Sequence, residues 1–243
     1  MERDDYLTHL RRDGHRMADL AEGDLSAPVP TCPDWTLAEL VRHTGNVHRW
    51  QTAAVRDDPA EFPDPATWRL PPAEGQPLAD WFRAGVDEAV AVLSAATPGE
   101  RRWTWAGPGT TDFYFRRIAQ ETLVHRIDAE LAAGVEPEPV DPGFAVDGID
   151  EMCDVFIPHA EGQPVGGSGE TLHLHATDAT GEWLFTMHGD HVEVARGHAK
   201  GDAAVRATAR DLLLISWGRD PLGELEVFGD ESVVARFRTA AAL

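Results

Sequence analysis

Residues 117–130 read RIAQETLVHRIDAE, and both fold and chemistry turn on this stretch. Taken as a helix, it puts Ile118, Thr122, Ala129 and Ala132 on one inward stripe at i, i+4 and i+7 spacing. Glu121 and His125 fall on that same stripe, four residues apart and so one turn above the other. A carboxylate on an inward face is costly unless something positive meets it there. Two readings satisfy the pair: a metal ion held between them, or a hydrogen-bonded Glu–His couple without one.

Upstream, residues 31–50 (TCPDWTLAELVRHTGNVHRW) specify a helix start strongly. Thr36 and Glu39 have capping-box spacing, Trp35 and Leu40 fit a hydrophobic staple, and Pro33 keeps the preceding chain extended. His43 then lies two turns in, at the edge of the apolar face. His48 points about 140° away from it, so one helix cannot aim both at one point. His43 is therefore the histidine expected to join Glu121 and His125, and His48 is read as a rim or hydrogen-bonded core residue. His9 and His15, in a first helix expected over 5–22 and interrupted by Gly14, are read as surface histidines.

Residues 57–76 carry five prolines and read as a long loop. Residues 77–96 give the cleanest amphipathic helix, ended by Pro98 and Gly99. RRWTWAGPGTTDF (101–113) reads as a turn-rich connection into the helix that carries Glu121 and His125. Four helices in roughly the first 134 residues suggest a four-helix bundle, an architecture that builds metal sites from facing helices. GVEPEPVDPG (134–143) reads as an interdomain linker, giving domains at 1–136 and 144–243.

Beyond it the pattern becomes α+β. A helix is expected over 144–157. Alternating strands follow, with Leu172, Leu174 and Ala176 on one face and Trp183, Phe185 and Met187 on one face of the next. His173, His175 and His188 then share the opposite face, as a possible chelate or, the preferred reading, as exposed decoration. Val192 and Val194 mark a further strand. Asp202 is expected to cap a helix running through Val205 to Ser216, before a strand at 223–229 and a last helix at 231–240.

The totals narrow the function. A chain of 243 residues with 42% apolar and 26% charged residues has the composition of a soluble globular protein. A formal charge of −21 argues against nucleic-acid and anionic-membrane partners and for a small-molecule ligand. Two distant cysteines, Cys32 and Cys153, make no disulfide framework, and no signal core or membrane-length apolar run is present, so a cytoplasmic protein is expected. Both cysteines are read as structural, although Cys32 precedes a helix start, where a thiol pKa can be lowered.

Three donors, His43, Glu121 and His125, leave a coordination position open, as catalytic zinc sites do. Imidazole favours zinc over magnesium or calcium, with iron, nickel and copper also compatible. Residues 31–50 and 116–134 resemble the two signature stretches of the maleylpyruvate-isomerase family of mycothiol-dependent enzymes. Residues 201–220 (GDAAVRATARDLLLISWGRD) resemble the late helix of that family's second domain.

The resemblance implies a DinB-like four-helix bundle followed by a smaller sterol-carrier-like α/β domain. It also implies a divalent metal, usually zinc, on His43, Glu121 and His125. Thr44 stands where the family usually has leucine. The implied function is a mycothiol- or similar thiol-dependent isomerase or S-transferase acting on a small electrophile. Arg219 resembles an arginine directed at the cleft; the alternative is a helix C-terminal arginine meeting free carbonyls. Arg126 is expected to be a surface salt-bridge residue. A non-catalytic small-molecule binder that keeps the bundle, and a carrier of apolar ligands built on the second domain, are the alternative functions.

Overall fold

Apolar residues at helical spacing build α1 (Arg3–Leu20), α2 (Leu37–Asp57), α4 (Leu78–Ala95) and α5 (Thr111–Ala132). The computed structural model describes residues 1–59, 61–62, 64–160 and 166–240, in two units, Met1–Glu138 and Pro139–Leu243.

In the first unit α1 packs on α4 and α5, and α2 packs on the same two, closing a four-helix bundle. Glycines mark the close crossings. A Cβ on Gly14 would sit 2.7 Å from Val86 Cγ2, and one on Gly45 would sit 2.4 Å from Trp81 Cζ3. The glycine that interrupts the α1 pattern is thus where α4 crosses it. The Thr36–Glu39 capping box forms as expected, with Thr36 N donating to Glu39 Oε2 at 2.7 Å.

Four expectations in this unit are corrected. The connection at 101–113 contains a hairpin, β1 (Arg101–Thr104) and β2 (Gly107–Thr110); a Gly-Pro-Gly strand shows no apolar alternation to read. The proline-rich loop contains the short helix α3 (Pro65–Trp68), capped by Asp64; Ala60 and Pro63 of that loop lie outside the described residues.

Arg126 is fully buried, as is Glu130, to which its Nη1 donates at 2.7 Å. The buried Asp13 of α1 lies 3.5 Å from Arg126 Nε, and Arg16 of α1 donates to Glu130 at 3.0 Å. The single-stripe reading of α5 fails because this helix is buried on most of its circumference, polar residues included. An internal ion-pair network, not solvent, receives the face opposite His125.

In the second unit, α6 (Pro142–Glu151) starts inside the expected linker, where Asp141 Oδ1 accepts from Phe144 N at 2.8 Å. It continues as a π-helical turn, Met152–Phe156, and then α7 (Ile157–His159). Strands β3 (Glu170–Ala176), β4 (Glu182–Met187), β5 (Val192–Arg196), β6 (Ala203–Ala207) and β7 (Glu226–Gly229) form one sheet in the order β5-β4-β3-β6-β7. The β3–β6 pair is parallel and the other pairs are antiparallel. Leu172, Leu174, Trp183, Phe185, Met187 and Val205 are all buried, and the face they share packs against α8 (Ala209–Ser216) and α9 (Glu231–Ala240).

The helix expected from Asp202 is replaced by β6, and α8 begins at Ala209 with Thr208 as its cap. Residues 203–207 are alanine-rich and locally suited to helix, but alternate in burial and pair with β3; tertiary pairing overrides propensity. Asp202 instead accepts from Thr171 N at 2.9 Å. Among the described residues, no helix is long and apolar enough to cross a membrane.

Candidate metal centre

His43 is presented by α2, and Glu121 and His125 by α5, with the helical i, i+4 spacing placing the latter two on successive turns. The three side chains converge on one point. His43 Nε2 lies 3.4 Å and His125 Nε2 3.2 Å from the same oxygen, Glu121 Oε1, and the two rings stand edge to face at 5.2 Å. Both imidazoles therefore direct Nε2, not Nδ1, at the shared point.

The second oxygen of Glu121 and the second ring nitrogen of His125 are tied down by partners that sequence spacing did not single out. His125 Nδ1 bonds Asp128 Oδ2 at 2.9 Å, and Asp128 Oδ1 accepts from Thr31 Oγ1 at 2.6 Å. With Nδ1 as the donor, the Nε2 lone pair is free for a cation, the carboxylate–histidine arrangement typical of metal ligands. The buried Arg117 donates to the other Glu121 oxygen at 3.0 Å. Trp35 lies over His43 at 4.8 Å between ring centroids. The signals were present: Asp128 is three residues after His125 and Arg117 is four before Glu121, each one helical turn away.

Burial opposes ionisation of Glu121, but His125, His43 and Arg117 outweigh it and hold the carboxyl well below its ordinary range. Burial likewise disfavours the His125 cation, and the Glu121 and Asp128 carboxylates outweigh that, pushing it up to about 9. At neutral pH the two carboxylates are thus matched by Arg117 and a protonated His125, and a divalent ion would take the place of that proton. Two imidazole nitrogens and a carboxylate oxygen within 4.8 Å of one another suit a divalent ion of the zinc type.

His48 is separate from this trio. It is fully buried, and its Nε2 bonds Thr122 Oγ1 at 2.8 Å. Because the Thr122 hydroxyl donates to Ile118 O at 2.6 Å, it must accept from the ring, which fixes the proton on His48 Nε2. Cys32 is brought beside the site, its Sγ 3.8 Å from Asp128 Oδ2, whereas Cys153 is buried on the second unit's helix.

Residues 9–130 match the family model described as the mycothiol maleylpyruvate isomerase N-terminal domain, and residues 143–236 match the C-terminal domain of the same family. The chain belongs to the mycothiol maleylpyruvate isomerase family. Among solved structures, it is similar to mycothiol-dependent maleylpyruvate isomerase at 13% identity, TM-score 0.62, with 93% of each chain covered. A histidine-to-alanine variant of that enzyme matches at 11% identity and TM-score 0.63, with the same coverage. At such identities the likeness is one of fold. A comparison with curated proteins returns no match.

The maleylpyruvate isomerase fold accommodates the expected α+β arrangement: a helical bundle, then a sheet domain. Arg219, singled out on the sequence, follows α8 and donates from Nη1 to Trp217 O at 2.7 Å, as an arginine at a helix end does.

Proposed function

We propose that the protein is a metal- and thiol-dependent isomerase or S-transferase, with His43, Glu121 and His125 as metal ligands and mycothiol or a similar small thiol as cosubstrate. The observation that carries this is the convergence of two Nε2 atoms on Glu121 Oε1, with Asp128 fixing the ring of His125. A zinc-type ion bound there would supply positive charge that favours a thiolate over a thiol at neutral pH.

The chain's own residues set up the rest. Asp128 orients His125, Arg117 anchors the Glu121 oxygen turned away from the histidines, and Trp35 shields His43 on one side. The thiol arrives with the cosubstrate, so no protein cysteine has to serve as nucleophile. A thiolate adding to an activated alkene forms a C–S bond and shifts the π pair onto the activating group, leaving a single C–C bond free to rotate. Expelling the thiolate restores the alkene with inverted geometry; protonating the adjacent carbon instead gives a stable conjugate. Arg219 enters this reading as the cation for an anionic substrate, its guanidinium held by Trp217 O.

The test is metal analysis of the purified protein together with thiol consumption and cis–trans conversion across a panel of activated alkenes. His43→Ala with His125→Ala should lose both the bundle's metal and the turnover. Arg219→Ala should raise KM for carboxylated alkenes more than it lowers kcat. Tight binding of thiol and alkene without turnover of any pair would favour the non-catalytic binder.

A further inference from the structure

The second unit carries a separate cluster of donors on the sheet face turned away from α8 and α9. His173 and His175 are neighbours on one face of β3, and Glu182 of β4 stands directly across from His175 in the strand register. His198 follows β5, where Gly197 N donates to Glu182 O at 2.9 Å and Gly197 adopts φ of +106°, in the glycine-favoured region. The strand pairing and this glycine bring His198 back over the carboxylate.

Three ring nitrogens crowd one oxygen. His198 Nδ1 lies 2.8 Å, His173 Nε2 3.0 Å and His175 Nδ1 3.4 Å from Glu182 Oε2. A carboxylate oxygen has two lone pairs, so it cannot accept from all three. The side chain of His173 is 6% exposed, and its Nε2, although 3.0 Å from that oxygen, does not meet it at good hydrogen-bond geometry. A buried imidazole nitrogen whose hydrogen bond is poorly made is costly, and this one is aimed into the cluster. It corrects the sequence reading of His173, His175 and His188 as exposed decoration: His173 is buried, and its partners are Glu182 and His198 rather than His188.

We propose that His173, Glu182 and His198 form a second divalent transition-metal site of the zinc type, independent of the bundle site. Their donor atoms lie within 4.8 Å of one another. A tetrahedral zinc ion needs ligand-to-ligand edges of about 3.3 Å, a few tenths of an ångström beyond the 3.0 Å and 2.8 Å that separate His173 Nε2 and His198 Nδ1 from Glu182 Oε2. His198, the most exposed of the three, can open to provide it, and the ion would satisfy His173 Nε2. His175 is the nearest further donor.

The test uses the full chain, stripped with a chelator and titrated with Zn2+ by calorimetry, with the visible spectrum of the Co2+ form as a second readout. The His43→Ala, His125→Ala double variant should still take up zinc. Adding His198→Ala to it should weaken that uptake roughly 10–100-fold or more and abolish the cobalt absorption. His198 is exposed, so its replacement leaves the sheet intact; Glu182→Gln should have the same effect. Loss of all zinc in the double bundle variant overturns the proposal. So does residual binding indifferent to both His198→Ala and Glu182→Gln. Zinc uptake that the bundle substitutions leave untouched but His198→Ala removes would instead defeat the bundle assignment and uphold this one.

Discussion

Asp128 bonds His125 Nδ1 at 2.9 Å, and that contact decides which ring nitrogen is turned to Glu121. Asp128→Asn keeps the shape and removes the charge. Metal affinity, read by competition with a chromophoric chelator, should fall roughly 10–100-fold while the helical circular dichroism stays the same. An unchanged affinity would show that Asp128 serves only Thr31 and the loop before α2.

The metal-free protein has a definite pH signature. His125 is raised from 6.5 to about 9, so its contribution to stability is complete below pH 6.5 and is lost as pH rises through 9. Glu121 is depressed from 4.5, so its contribution is complete above pH 4.5 and is lost as pH falls towards its folded value. The pair should stabilise the metal-free bundle most between these limits. Zinc must displace the His125 proton, so uptake near pH 7.5 should release close to one proton, measurable from the buffer dependence of the binding enthalpy. Proton-neutral uptake would contradict this.

His48 gives the acid limb. Burial, ahead of every other cause, lowers its pKa from 6.5 to about 3. The unfolded chain takes up this proton below pH 6.5 and the folded chain does not, so stability declines as pH falls across that interval by on the order of 5 kcal/mol. His48→Gln, which retains a donor for Thr122, should flatten the limb in urea denaturation at stepped pH. An unaltered slope would assign acid lability to other groups.

Glu130→Ala should destabilise the bundle by about 3–5 kcal/mol, because it leaves the fully buried Arg126 without its closest counter-charge. Replacing Arg126 and Glu130 together by apolar residues of similar volume should cost far less. Urea midpoints of the single and double variants check it, and equal losses would mean that packing rather than charge holds the site.

The candidate site was legible because helical spacing fixes Glu121 against His125, and a well-capped α2 fixes the direction of His43. Asp128 and Arg117 escaped because on α5 polar residues occur on every side, so no stripe separates site from core. Arg126 was misplaced for the same reason: position relative to His125 says which way it points, not whether protein or water receives it. In the second unit the alternating strands were plain, while β6 was hidden in an alanine-rich stretch that only its pairing with β3 makes a strand. His173 followed the alternation correctly, but its ring meets His198 edge to face at 5.5 Å, a residue that no local pattern ties to it.

His43 and Glu121 are 78 positions apart in the chain, yet their side chains nearly touch. Any ion gripped by both is also a clasp, fastening two distant lengths of polypeptide that are otherwise joined by side-chain packing and neutral hydrogen bonds such as that of His48 to Thr122. At a free concentration one hundred times its dissociation constant, such a clasp adds about 2.7 kcal/mol to the folded state. Scarcity of the ion would then shorten the life of the protein as well as its activity.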